Sequence, residues 1–83
     1  MRLPIAVEAR FETDGSLRPL AFVWEGESIR IASYGRQWEQ DGEDHFLVMS
    51  ANEQVYELVY LQSEGIWQLY QRPQDLGRKH LRV

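Results

Sequence analysis

Hydrophobic and polar residues alternate with a period of two along most of the chain, the spacing of half-buried β-strands rather than of amphipathic helices. In residues 4–12, Ile5, Val7, Ala9 and Phe11 fall on one face, and Glu8, Arg10 and Glu12 on the other. Thr13-Asp14-Gly15-Ser16 is a turn cluster. Residues 19–25 predict the next strand, with Leu20, Phe22 and Trp24 on a common face, and Glu25-Gly26-Glu27 turns the chain. Residues 28–34 place Ile29 and Ile31 inward. Gly35 interrupts the alternation and the pattern resumes near Trp38, so a bulge or sharp bend is expected there.

Residues 39–44 read as a polar loop. Phe46-Leu47-Val48-Met49 and residues 54–61 are apolar on both faces, as central or covered strands are, with Ser50-Ala51-Asn52-Glu53 as the turn between them. Ser63-Glu64-Gly65 turns back into a sixth strand over residues 66–70, and Pro73 ends it because proline donates no ladder hydrogen bond. Six short strands joined by tight turns predict an all-β fold, a six-stranded antiparallel meander. So small a sheet hides its apolar residues by curling on itself, into a small barrel or half-barrel. Residues 1–72 form the single β-meander domain, and residues 73–83 a short basic C-terminal tail. The tail reads as an edge strand over residues 80–83, a helical turn or a disordered end; Leu76, Leu81 and Val83 favour order by offering apolar side chains for docking.

Composition narrows the class. The 83 residues are 43% hydrophobic, and three Trp, four Tyr and three Phe are enough for one independent core, which excludes a disordered chain. Cysteine is absent, which excludes disulfides, thiolate metal sites and a thiol nucleophile. With no signal-peptide apolar segment and no run of membrane-spanning length, a cytoplasmic protein without membrane association is expected. The net charge of −4 is uneven: residues 1–70 carry five basic and twelve acidic side chains, whereas residues 71–83 carry four basic side chains against Asp75 alone. An acidic body repels nucleic acid, and a basic tail attracts it or pairs with the body.

Several segments together resemble a known family. Pro4-Ile5-Ala6-Val7-Glu8 is followed by Arg18-Pro19-Leu20-Ala21-Phe22-Val23-Trp24-Glu25-Gly26, a strand ending at Trp38-Glu39, then Val55-Tyr56-Glu57-Leu58 and residues 65–72 around Trp67-Gln68-Leu69. This pattern, over about residues 4–72, is similar to a family of small bacterial all-β proteins of unknown function, common in actinobacteria. Some of its members are linked to Y-family DNA polymerase-like proteins, so the resemblance implies a connection with DNA repair or replication and no catalytic residues. Trp24-Glu25-Gly26 stands where many relatives have Trp-Arg-Gly in a basic body.

The residues themselves point to binding rather than catalysis. No serine has a nucleophile-elbow context, and the glycines make no phosphate loop. Glu57 lies among apolar strand residues, where a partly buried carboxylate is expected to pair with an arginine. The acidic run at residues 39–44 lacks calcium-loop spacing, and His45 and His80 have no zinc spacing, so neither metal nor cofactor is expected. Phe22, Trp24 and Trp67 are assigned to the core. Tyr34, Arg36 and Trp38 alternate on one face if the strand runs straight through Gly35, as a ring–cation–ring platform. With Tyr70, Arg72, Arg78, Lys79 and Arg82 they form the candidate binding set. The expected function is a non-catalytic binding or adaptor module that engages a protein partner through an aromatic face or a sheet edge, or a second copy through such an edge. The alternative is a nucleic-acid-binding accessory in DNA repair or replication, using the basic tail and the stacking face.

Overall fold

Two-residue turns set the register of the sheet in the computed structural model, which describes residues 1–70. Its strands are β1 (Arg2–Ile5), β2 (Val7–Phe11), β3 (Leu17–Trp24), β4 (Glu27–Gln40), β5 (Glu43–Ser50), β6 (Val55–Leu61) and β7 (Ile66–Tyr70). All neighbours pair antiparallel, in the order β1-β7-β6-β5-β4-β3-β2. Glu25-Gly26 joins β3 to β4, and Asp41-Gly42 joins β4 to β5. Both residues of each turn have positive φ, 52° and 80° in the first and 52° and 78° in the second. That is the type I′ pattern, whose twist matches the strands it connects. Residues 39–44, expected to be a loop, are therefore mostly strand, with Gln40 paired to Glu43 across a two-residue tip.

The expected first strand is two strands that meet at Ala6. β1 pairs with β7 while β2 pairs with β3, so one N-terminal segment supplies both edges of the sheet. The Val23 amide donates to the Ala6 carbonyl at 3.0 Å across the junction. A sheet whose two ends belong to consecutive residues has to curl, and the seven strands form a half-barrel. This division of one strand into two is why there are seven strands rather than six. The basic tail and the candidate strand over residues 80–83 lie outside the described residues.

Bulges decide which side chains face inward. Ala9 pairs with Pro19 and Glu8 with Ala21, which leaves Leu20 as the extra residue of β3. Leu20 therefore does not continue the Phe22–Trp24 face, and the buried residue beside the bulge is Pro19. The interruption expected near Gly35 is present as a register shift between Tyr34 and Gln37, and a second lies between Ile31 and Ser33. The core is Phe22, Ile31, Phe46, Val48, Leu58 and Leu69, with Trp24 and Trp67 packed against it as expected. Phe22 meets Tyr56 edge-on at 4.9 Å, and Trp67 lies 5.0 Å from Tyr60 and 5.6 Å from Phe46. Such aromatic pairs add about 0.5–1.5 kcal/mol each beyond the area they bury.

Two substitutions separate packing from backbone terms. Leu58→Ala, at a residue with no exposed surface, is expected to lower unfolding free energy by about 3 kcal/mol in urea titrations. An added Cβ at Gly42 meets no atom within 4 Å. Gly42→Ala should therefore cost about 1 kcal/mol from its positive φ alone.

Candidate functional site

The alternation along β5 divides its side chains between two faces. Phe46 and Val48 enter the core, so His45 and Leu47 take the outer face of the sheet. The cross-strand register extends that face in both directions: Trp38 pairs with His45, Glu57 with Leu47 and with Tyr70, and Tyr70 with Arg2. Cross-strand neighbours share a face. One row of side chains therefore crosses β4, β5, β6, β7 and β1 on the side away from the core.

The row is charged, aromatic and partly buried. His45 is 5% exposed and Glu57 also 5%. His45 Nδ1 lies 2.9 Å from Glu57 Oε2, and Nε2 lies 3.1 Å from Glu43 Oε1. The Arg2 guanidinium donates to both oxygens of Glu43, at 2.7 and 3.0 Å, a two-pronged contact that ties β1 to β5 across two intervening strands. Trp38 stacks on the His45 ring, 4.9 Å between centroids and 11° between planes. The Arg36 guanidinium sits 4.7 Å from the Trp38 ring centre, and that of Arg2 lies 5.5 Å from the Tyr70 ring. Above them opens a shallow concavity of about 500 Å³, with Trp38, Gln40 and Asp41 on one side and Arg2 and Tyr70 on the other.

The electrostatics follow from the contacts. The Arg2 hydrogen bonds hold the Glu43 carboxyl below the usual carboxylate range; burial opposes this, and the Arg2 charge and the His45 bond reinforce it. Arg2 is raised above its ordinary value, chiefly by the same bond. The two carboxylates approach different nitrogens of His45, on opposite sides of the ring, so the three donors do not converge on one point as metal ligands do. Among the described residues no cluster of three His, Asp or Glu is placed to hold a metal ion. Nor is any helix there long and apolar enough to cross a membrane.

Of the residues singled out from sequence, Arg36, Trp38 and Tyr70 belong to this surface. Tyr34 does not. It pairs with Val48, and Trp38 pairs with His45, three residues away on an unbulged strand, so the two rings take opposite faces. Gly35 and Arg36 together stand opposite Leu47, and that one extra residue causes the change of face. Tyr34 instead closes the gap between β4 and β3: its hydroxyl donates to the Pro19 carbonyl at 2.6 Å, and the Arg18 guanidinium stacks 4.4 Å from its ring. Arg72, Arg78, Lys79 and Arg82 lie outside the described residues. Glu43 and His45, weighed in the sequence only as metal ligands, and Arg2, not singled out there, complete the row. Glu57, expected to be partly buried, is 5% exposed and lies against His45. The overlooked signal is Asp41-Gly42, a two-residue hairpin dipeptide that places Trp38 opposite His45 once both strands are run up to it.

Comparisons of the chain with protein-family models, with curated proteins and with solved structures give no match.

The Arg2–Glu43 pair gives a pH prediction. A carboxyl lowered in the fold stabilises it above the ordinary carboxylate range, and that contribution is lost as pH falls through the folded value. The stability difference between the native chain and Glu43→Gln should therefore be largest near neutrality and fade in acid, as read from urea midpoints across pH.

Proposed function

We propose that the chain is a non-catalytic binding module that takes up an extended, basic protein segment along the free edge of β4. The observation that carries this is the length of β4. Its fourteen residues pair with β3 only through Glu27, Ser28, Ile29 and Arg30. Beyond Tyr34, where the Pro19 contact ends, the remaining residues pair with β5 alone among the described residues. The two-residue turn fixes the polarity of that edge. Gln40 and Glu43 flank the turn as a hydrogen-bonded pair, so Trp38 also faces β5, and the backbone groups of Gln37 and Glu39 point away from the sheet.

The side chains beside this edge define the partner's chemistry. Glu39, Asp41 and Asp44 outweigh Arg36, in a body that carries twelve acidic against five basic side chains. Main-chain hydrogen bonds supply affinity in such docking, while charge supplies orientation and rate. The same acidic surroundings, and the separation of Tyr34 from Trp38, weaken the reading as a single-stranded nucleic-acid platform.

The test uses isotope-labelled full chain and twelve-residue peptides selected against it from a random library. The expected outcome is selection of Lys- and Arg-rich peptides that shift the amides of residues 35–40 and bind more weakly as salt rises. Glu39→Pro removes one outward N–H while keeping the ladder to β5, and should reduce binding at least tenfold with the fold intact. Shifts confined to β2, unchanged binding by the proline variant, or preference for a labelled oligonucleotide over every peptide would overturn the proposal.

A further inference from the structure

Among the described residues the sheet ends at β2, which pairs with β3 alone. Two backbone contacts fix which way its peptide groups point. The Ala6 carbonyl accepts from the Val23 amide at 3.0 Å, and the Glu12 amide donates to the Ser16 carbonyl at 2.8 Å. Peptide groups alternate in direction along a strand, so Glu8 and Arg10 also face β3. Val7, Ala9 and Phe11 therefore turn their N–H and C=O groups to the open side. The residue across from Ala9 is Pro19, which has no N–H to give it. Phe11 is 67% exposed, on the same face by which Val7 packs against the core. On the other face Arg10 donates to Glu12 at 3.0 Å but stands directly opposite Arg18, a like-charge pair.

We propose that β2 is the interface for a second copy of this chain, the two β2 strands pairing antiparallel about Ala9 so that two half-barrels share one continuous sheet. The strand is complementary to itself in that register. Reversed on itself about Ala9, it sets Val7 against Phe11, Ala9 against Ala9 and Glu8 against Arg10. Every outward-facing residue then meets an outward-facing residue, and each such pair exchanges both of its backbone hydrogen bonds. Phe11 of each copy lies over the partner's Val7, beside the core. Each Arg10 gains the partner's Glu8, which offsets Arg18, while Glu12 meets only Ala6. No other register pairs all five residues of β2. Displaced by one residue, outward groups meet inward ones. Displaced by two, Glu8 meets Glu8 or Arg10 meets Arg10 at the two-fold axis, and wider displacements leave most of the strand unpaired. Charges on an edge strand ordinarily deter pairing; here their spacing admits one register and refuses its neighbours. A self-complementary contact closes on its two-fold axis, so it joins two copies and no more.

The inference is independent of the docking proposal on β4 and is tested on the full chain alone. In sedimentation, the average mass is expected to rise with concentration toward twice that of one chain. Over the same range the Val7, Ala9 and Phe11 amides should gain protection from hydrogen exchange, while Glu8 and Arg10, already bonded to β3, keep theirs. Glu8→Arg and Arg10→Glu change exposed side chains, and each sets like charges opposite one another across the two-fold axis. Each variant alone should keep the native circular dichroism and dimerise about tenfold more weakly. Mixed in equal amounts, the two variants should recover the dimer, because the register about Ala9 places position 8 of one copy against position 10 of the other. The mass of a single chain at every concentration up to about 1 mM overturns the proposal. So does a dimer that both variants leave unchanged, a mixture that dimerises no better than its parts, or protection that appears on β4 instead of β2.

Discussion

A single sheet has to hide its own apolar face, and everything else in this structure depends on how that is done. No helix or second sheet covers the apolar side among the described residues. The strands bend until that side faces itself, and Phe22, Phe46, Leu58 and Leu69 from four different strands meet in one core. Curling is stabilised because the segment before β3 is shared between the two ends of the sheet, with the change of partner at Ala6. The bulges at Leu20 and near Gly35 serve the same end, since an extra residue increases local twist. Each has a second effect: it reassigns side chains between faces, and the displaced residues Leu20 and Tyr34 lie where simple alternation would not put them.

The outer face carries the chemistry for the complementary reason. A curled sheet exposes its convex side, and β5 and β6, central in the strand order, have the least access to water even there. Val59 has no exposed surface although it is not part of the core cluster. Polar groups beside it must then satisfy one another, and no buried side-chain nitrogen or oxygen among the described residues lacks a partner. His45, Glu57, Glu43 and Arg2 form such a set. Such networks contribute modestly to net stability, because desolvation offsets much of the attraction. Their stronger effect is on register: a shift of one residue along β5 would send His45 into the core and Phe46 into the charged row. The same row holds Trp38 against the His45 ring.

The fold class was legible in the sequence, because a period of two survives in nearly every strand and the turns carry glycine or polar clusters at the right places. Central strands were legible too: residues 46–49 and 55–61 are apolar on both faces because neither face of a middle strand is fully wet. The irregularity at Gly35 could be anticipated from the break in alternation, but not its consequence for Tyr34, since which residue is extra depends on the partner strand. Glu57 stood out as a carboxylate among apolar neighbours, while its contact with His45 did not, because the two lie twelve residues apart and meet only once β5 and β6 are in register. Arg2 and Glu43 were invisible as a pair for the same reason, at a separation of 41 residues.

The sequence by itself determined the period of the strands, the positions of the tight turns, three of the core aromatics (Phe22, Trp24 and Trp67) and the acidic character of the body. These are local properties, written in the alternation of side chains and in the few residue types that tolerate positive φ. Only the tertiary structure decided that the N-terminal segment serves both sheet edges, that Tyr34 and Trp38 part company, and that Arg2, Glu43, His45 and Glu57 from β1, β5 and β6 converge behind Trp38 and Tyr70. Those outcomes depend on pairing between distant strands, and pairing is set by the closure of the whole sheet rather than by any one segment of it.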